Sequence, residues 1–188
     1  MQKSLPMNVV IRDGLASDIQ ACLNLDHSYA NDRAWQMTVY KDEDGYDYRI
    51  TLKIERFPRV VEVMYPSERA RLEQAAAPEH CFLVAVQRET DQLVGYLVMT
   101  HDRVRHLGQV DDIVVDRPAR RREIGTRLLN VARVWAREQH IQRLTLCTQS
   151  TNYPAINFCQ HAGFTFSGFN DRLLAHYEIA VFFSQSMR

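Results

Sequence analysis

The sequence has no excess of either charge and no long apolar run. Its 188 residues include 23 basic and 23 acidic side chains, so the formal net charge is +0. Because a neutral chain has no overall field that attracts polyanions, we expect no nucleic-acid partner. No segment approaches the roughly 18 apolar residues of a membrane-spanning helix, and the N-terminus lacks the apolar core of a signal peptide. We therefore expect a soluble, cytoplasmic protein without a membrane partner.

Motifs that mark metal and nucleotide sites are also missing. The four cysteines are Cys22, Cys81, Cys147 and Cys159, and no two form a C-x-x-C pair. This spacing favours reduced, mostly buried thiols over a disulfide framework or a zinc site, so we expect no metal. The chain contains neither the G-x-G-x-x-G fingerprint of dinucleotide-binding folds nor the G-x-x-x-x-G-K-[ST] of P-loop proteins.

The periodicity of apolar residues predicts one mixed α/β domain (α+β in its strand order) over residues 1–188. A strand and a helix precede an inserted N-terminal β-hairpin, whose apolar residues alternate from Trp35 to Val39 and from Tyr46 to Ile54. We expect one packed aromatic face on this hairpin, and the protein to be a monomer or a homodimer. A helix, three strands, a helix, a strand, a helix and two strands follow, the last covering residues 176–183. These elements predict a mixed central sheet flanked by helices.

The segment DRPARRREIGTRLLN, residues 116–130, follows the apolar strand VDDIVV and runs into an amphipathic helix. The start of a helix presents backbone N–H groups without intrahelical acceptors and the positive end of the helix dipole. The glycine lets a ligand approach the main chain closely. This setting predicts an anion-binding loop. The alternative is a solvated basic helix start.

Two motifs resemble those of the GNAT superfamily of N-acetyltransferases. The superfamily motif R/Q-x-x-G-x-G/A, whose amides bind the pyrophosphate of acetyl-CoA, corresponds to residues 120–125, with Glu123 in place of the first glycine. The motif N-x-x-A-hydrophobic-x-x-Y-x-x-x-G-F begins here at Asn152, with Cys159 in place of the tyrosine. Within the superfamily the chain is most similar to streptothricin (nourseothricin) acetyltransferases.

This resemblance implies a GNAT fold and an enzyme that transfers acetyl from acetyl-CoA to a primary amine by direct attack. Acetyl-CoA is then the cosubstrate, and a small-molecule or peptide amine is the partner. The residues that the resemblance assigns to cofactor binding are Ile113, Val114, Val115, Arg120, Arg121, Arg122, Glu123, Ile124, Gly125, Thr126 and Asn152.

Three side chains are candidates for the catalytic groups. Asp111 and Asp112 interrupt an apolar strand, and a carboxylate beside the acceptor can remove the ammonium proton. Because side chains alternate along a strand, we expect only one of them to face the substrate, with a slight preference for Asp111. For either residue the alternative is that it binds backbone amides at an irregularity of the strand. Cys159 is either the acid that protonates the CoA thiolate or a buried helix cysteine.

The acceptor amine is predicted from fewer residues. Asp26 and Trp35 are candidates for binding a cationic amine, and a streptothricin-like small molecule is the first substrate hypothesis. One alternative is acetylation of a protein N-terminus or lysine. Another is an acyl-CoA-binding module with reduced or lost catalysis, because Glu123 and Cys159 both depart from the superfamily motifs.

Overall fold

The elements of the chain follow the predicted order in a computed structural model that describes residues 7–175 and 178–187. They are β1 (Val9–Asp13), α1 (Ile19–Leu23), β2 (Ser28–Lys41), β3 (Tyr48–Met64), α2 (Arg69–Ala75), β4 (Cys81–Gln87), β5 (Leu93–Asp102), β6 (Leu107–Val115), α3 (Ile124–Glu138), β7 (Arg143–Gln149), α4 (Tyr153–His161), β8 (Thr165–Asn170) and β9 (Ala180–Ser186). The predicted start of the last strand, His176 and Tyr177, lies outside the described residues. The predicted mixed α/β fold, with a mostly antiparallel sheet flanked by helices, is confirmed.

The chain divides into two compact units. The first contains residues up to Ser28, the segment Met64–Leu146 and residues from Ser184 onwards, and the second contains Tyr29–Val63 and Cys147–Phe183. That residues 1–188 form a single domain stays a prediction. In the first unit the strand order is β1-β4-β5-β6-β7. The first three pairings are antiparallel, and β6 pairs with β7 in parallel.

Helices cover both faces of the sheet in the first unit. One face packs against α1 and α2 and forms a core that includes Ile19, Leu72 and Tyr96. The other face packs against α3, whose buried residues recur at helical spacing, as at Leu128 and Ala132. This packing buries much of β6 between two helical layers. No helix within the described residues is long and apolar enough to cross a membrane.

A β-bulge interrupts β6 at Asp111. Val98 of β5 pairs with Asp112, and the next residue, Met99, pairs with Val110, so Asp111 has no partner in the register. Because consecutive residues of β5 point to opposite faces, Val110 and Asp112 also lie on opposite faces of the sheet. The simple alternation that we used to place Asp111 and Asp112 on opposite faces therefore does not apply here.

The second unit contains the hairpin and the C-terminal strands. Within it the strand order is β7-β9-β8, and β2 pairs with β3 in a separate two-stranded sheet. The Trp35 ring contacts Phe166 and Phe183, with ring centroids 5.9 and 5.7 Å away. The Trp35 amide donates a 2.8 Å hydrogen bond to the Ser150 carbonyl. These contacts anchor the beginning of the hairpin within this unit.

The hairpin is longer and more exposed than predicted. Its strands begin at Ser28 rather than Trp35 and continue to Met64 rather than Ile54. Pro58 lies inside β3, and a two-stranded sheet has edges that tolerate a proline. Tyr48 is 61% exposed and Ile54 is 57% exposed. The expected packed aromatic face therefore exists around Trp35 but not along β3.

The cysteines agree with the sequence interpretation. All four are unpaired; Cys22, Cys81 and Cys159 are buried, and Cys147 is half-buried. Burial raises the pKa of the Cys81 thiol to about 12. Thiols in such surroundings stay protonated and unreactive at neutral pH.

Candidate functional site

The loop between β6 and α3 has an unusual backbone. The Asp116 amide donates to the Val94 carbonyl at 2.9 Å, and a short 3-10 turn follows over Arg117–Ala119. Arg121 and Glu123 then adopt positive φ angles of 63° and 64°. Two left-handed residues on either side of Arg122 let the chain reverse sharply and enter α3 at Ile124. The loop is thereby folded back over the end of β6.

The first turn of α3 presents backbone donors. The intrahelical bonds begin with the Arg127 amide, which donates to the Glu123 carbonyl at 3.0 Å. The amides of Ile124, Gly125 and Thr126 precede it and have no intrahelical acceptor because of their position. Together with the helix dipole, these N–H groups suit a phosphate or pyrophosphate. The first turn of α3 therefore has the backbone donors that the predicted loop requires, and its binding of an anion stays a prediction.

Glu123 takes the place of a motif glycine in a conformation that favours glycine. Its φ of 64° and ψ of 9° lie in the left-handed region, where a Cβ is disfavoured. Its side chain is exposed. The departure from the motif therefore places backbone strain and a carboxylate at the helix N-terminus, while the course of the loop is retained.

The Arg120 side chain binds backbone carbonyls. Its Nε donates to the Val115 carbonyl at 2.8 Å, Nη1 donates to the Ser28 carbonyl at 2.5 Å, and Nη2 donates to the Asp26 carbonyl at 2.5 Å. The guanidinium thus joins the end of β6 to the segment before β2. Arg121 is exposed and Arg122 is half-buried in the same loop.

Asp112 lies in a buried polar cluster with Tyr65 and Arg71. The Tyr65 hydroxyl donates to Asp112 Oδ1 at 2.7 Å, and Arg71 Nη1 donates to the same oxygen at 2.9 Å. The Asp112 side chain is 5% exposed. Burial raises the pKa of Tyr65 above its usual range, and the Asp112 charge raises it further. An ion-paired carboxylate that solvent hardly reaches is poorly placed to take a proton from a substrate.

A second buried pair adjoins this cluster. The His27 Nδ1 atom lies 2.7 Å from the Leu25 carbonyl, and its Nε2 lies 3.2 Å from the Tyr96 hydroxyl. Because a carbonyl can only accept, Nδ1 donates to Leu25, and Nε2 is within hydrogen-bond distance of the Tyr96 hydroxyl. Burial raises the pKa of Tyr96, and the Asp112 charge adds to that effect.

Asp111 has a different environment on the bulge. Its Oδ2 accepts a 3.1 Å hydrogen bond from the Thr100 amide, and it forms no ion pair among the described residues. Burial raises the pKa of Asp111, and hydrogen bonds from Thr100 oppose this rise. The nearby Asp112 charge raises it further. A half-buried carboxylate of raised pKa is a stronger proton acceptor than an ordinary aspartate.

Tyr65 and Arg71 were missed by the sequence interpretation. Tyr65 lies between the end of β3 and Pro66, and Arg71 lies in the charged helix α2. The signal that points to them is Asp112 itself, because a carboxylate in the middle of a buried strand requires a nearby cation or donor. The sequence does not indicate which of the chain's 23 basic residues supplies it.

Asp26, the predicted substrate ligand in the first unit, has a local role. Its Oδ1 accepts from the Ser28 amide at 2.8 Å and from the Ser28 hydroxyl at 2.5 Å. These hydrogen bonds lower the pKa of Asp26, and the charges of Arg120 and Arg117 add to the effect. The Asp26 amide donates to Asp116 Oδ1 at 2.9 Å, which joins this turn to the loop after β6.

Three predicted residues belong to the second unit. Asn152 precedes α4, and its side chain accepts from the Ala155 amide at 3.1 Å, as a helix N-cap does. Cys159 is 1% exposed, and burial raises its pKa to about 12. Trp35 is part of the aromatic cluster described above. Their predicted functional roles stay predictions.

The ladder between β6 and β7 leaves the end of β6 for other interactions. In the described part of the chain, the ladder begins where Leu107 pairs with Arg143 and ends where Val110 pairs with Leu146. Ile113, Val114 and Val115 lie beyond it and pair with β5 on the other side.

Within the described residues, no group of three or more His, Cys, Asp or Glu side chains is arranged to hold a metal ion.

Comparison with protein families gives one match. The model of the "Acetyltransferase (GNAT) family" matches residues 47–164, which include β6, the loop and α3. No curated protein sequence matches this chain.

Solved structures with the same fold cover nearly the whole chain. The crystal structure of nourseothricin acetyltransferase has a TM-score of 0.80 and 24% identity, over 96% of this chain and 99% of that one. The structure of a protein assigned as a streptothricin acetyltransferase from Bacillus anthracis, in complex with acetyl coenzyme A, has a TM-score of 0.78 and 24% identity, over 96% of this chain and 99% of that one. The ribosomal-protein-S18-alanine N-acetyltransferase from Escherichia coli has a TM-score of 0.67 and 11% identity, over 96% of this chain and 94% of that one. These likenesses establish the fold.

Proposed function

We propose that this chain, which belongs to the acetyltransferase (GNAT) family, transfers acetyl from acetyl-CoA to a primary amine on a cationic small molecule. The observation that carries the proposal is the loop between β6 and α3. It combines the family match with a left-handed turn and with helix N-terminal donors at residues 124–126.

The residues present fit the pyrophosphate and pantetheine parts of acetyl-CoA. The N-terminal amides of α3 supply donors for phosphate oxygens, and the neighbouring arginines supply positive charge. The backbone of Ile113–Val115 extends beyond the described ladder with β7, so its groups that face away from β5 suit an extended pantetheine chain, apart from the Val115 carbonyl that Arg120 binds. Fixed backbone N–H groups there would also polarise the thioester carbonyl.

Direct transfer requires a neutral amine. The amine nitrogen forms a bond to the carbonyl carbon, the carbon–sulfur bond breaks, and its electron pair leaves with the sulfur. We assign removal of the amine proton to Asp111, because Asp112 is buried and paired with Arg71. The thiolate takes its proton from solvent, so the reaction does not depend on the Cys159 thiol.

A cationic acceptor of the streptothricin type is supported by fold likeness over almost the full chain and by the half-buried Asp111 carboxylate of β6, which forms no ion pair among the described residues. The test is a thiol-release assay with streptothricin, peptides with N-terminal alanine and lysine-containing peptides, after calorimetry with acetyl-CoA. We expect thiol release with streptothricin above the acceptor-free rate. Release with peptides alone would favour a protein acetyltransferase, and acetyl-CoA binding without release would favour a binding module.

Replacement of Glu123 by glycine is expected to raise both stability and affinity for acetyl-CoA. Glycine removes the strain of a left-handed residue, which we estimate at about 1 kcal/mol. Loss of the carboxylate near the phosphates should tighten binding by about two- to fivefold. Urea unfolding and calorimetry measure the two effects.

Glu123→Ala is the matched control, because alanine removes the charge but keeps the Cβ at the same φ of 64°. It should tighten acetyl-CoA binding as glycine does, without the gain in stability. If neither variant alters the affinity, the Glu123 carboxylate does not lie near the bound phosphates.

Cys159→Ala is expected to leave kcat unchanged within about twofold, because a thiol that is 1% exposed does not reach a ligand. The smaller side chain should lower the free energy of unfolding by about 1 kcal/mol. Steady-state kinetics and urea unfolding of the same preparation check both statements. A kcat reduced by tenfold or more with KM unchanged would restore Cys159 as the acid.

A further inference from the structure

Arg120 lies in a phosphate-binding motif, yet its side chain binds backbone carbonyls of the protein. All three of its guanidinium nitrogens donate to backbone carbonyls, those of Val115, Ser28 and Asp26. A planar guanidinium can make such a set of directed bonds, whereas the single nitrogen of a lysine cannot reproduce it. Arg120 therefore fixes the position of residues 26–28 relative to the loop.

A second contact joins the same two segments. Asp116, at the start of the loop, accepts from the Asp26 amide at 2.9 Å. The segment itself is held in a tight turn, because the Asp26 carboxylate binds the Ser28 amide and hydroxyl. Displacement of the loop by an arriving phosphate would thus move residues 26–28 as a unit.

The segment also contacts the carboxylate cluster. The His27 carbonyl accepts a 3.3 Å hydrogen bond from the Tyr65 amide, and the Tyr65 hydroxyl donates to Asp112 at 2.7 Å. His27 contacts Tyr96 from the same turn. Arg120, which binds the residues on both sides of His27, is therefore connected to Asp112 through the backbone of residues 26–28, the Tyr65 amide and the Tyr65 hydroxyl.

We infer that Arg120 is a positioning residue that makes binding of acetyl-CoA at the loop order residues 24–28 and the Tyr65–Asp112 pair. This inference rests on the proposed function, because it takes acetyl-CoA as the ligand of the loop. The loop contains two left-handed residues, Arg121 and Glu123, and strained residues of this kind cluster at ligand-binding and switch regions. Ligand binding can then be coupled to a second site through the elements that both contact.

The test is hydrogen–deuterium exchange with and without saturating CoA, whose binding is measured separately by calorimetry. In the unmodified protein we expect amides of residues 24–28 and 64–70 to exchange at least about fivefold more slowly when CoA is bound. In Arg120→Gln, CoA at saturation should protect the start of α3 but no longer slow residues 24–28 and 64–70. Arg120→Lys should behave as Arg120→Gln does, since one nitrogen cannot hold three carbonyls.

Arg122→Gln is the control, because it removes the same charge from the same loop and leaves the contacts of Arg120 in place. It should weaken CoA binding yet keep the slower exchange at saturation. Unchanged exchange of residues 24–28 in the CoA-bound unmodified protein would overturn the inference, as would retained protection in both Arg120 variants. Absence of CoA binding to the unmodified protein would instead overturn the proposed function, which calorimetry shows before any exchange is measured.

Discussion

Replacement of Asp111 by asparagine is expected to lower kcat/KM by ~10²–10⁴-fold, the range typical for loss of a general base. Asparagine keeps an oxygen that can accept from the Thr100 amide, so the bulge should persist. It cannot take the proton of the amine. Steady-state kinetics measures this loss of kcat/KM, with the acceptor that the thiol-release assay has identified. An activity within threefold of the unmodified enzyme would exclude Asp111 as the base.

The pH dependence gives a second measurement of the same role. Asp111 must be ionised to act, and burial raises its pKa above the usual aspartate range. The kcat/KM of the unmodified enzyme should therefore fall as pH decreases through that raised pKa, and Asp111→Asn should lose this limb of the profile. Ionised Asp111 costs stability in the folded state, because a raised folded pKa means that stability is lost as pH rises through it. The variant should thus be no less stable at neutral pH.

Asp112→Asn, unlike Asp111→Asn, is expected to destabilise the protein. We expect a loss of about 2–3 kcal/mol in the free energy of unfolding. The substitution removes the charge that faces Arg71 across 2.9 Å, inside a cluster where the Asp112 side chain is 5% exposed. The Tyr65 hydroxyl can still donate to the side-chain oxygen of the asparagine. The loss of stability should therefore be smaller than for an ion pair with one partner removed entirely. Urea unfolding at neutral pH measures it.

Asp102→Asn is the matched control for this loss. Asp102 also faces an arginine, Arg105, at 2.7 Å, but the Arg105 side chain is 77% exposed. Solvent screens such a pair, so the unfolding midpoint should hardly change. Equal effects of the two substitutions would mean that the Asp112–Arg71 pair contributes no more than a surface pair.

The order of elements could be predicted because each has a periodic pattern of its own. The apolar run of β4 and the helical spacing of α3 specify a strand and a helix without reference to the rest of the chain. The exposed β3 was predicted too short, because its charged residues and Pro58 carry little signal of pairing. The loop between β6 and α3 was predictable from the strand before it and the helix after it, and its binding of an anion stays a prediction.

The chemistry of the two carboxylates could not be separated from the sequence. The difference between Asp111 and Asp112 arises from the register of β5 against β6, which a single-strand pattern does not contain. It arises also from Arg71, which is 41 residues away along the chain. Alternation along VDDIVV assumes a regular strand, so with a bulge at Asp111 it does not determine where the two carboxylates point.

The bulge in β6 also determines how the strand would respond to a change in length. Removal of one residue from an ordinary strand turns every later side chain to the opposite face. In β6, Val110 and Asp112 already lie on opposite faces, as adjacent residues of a regular strand do. Deletion of Asp111 would therefore leave every cross-strand partner where it is. The fold does not need this residue for its register, and its proposed contribution is a carboxylate and a bend at the middle of the strand.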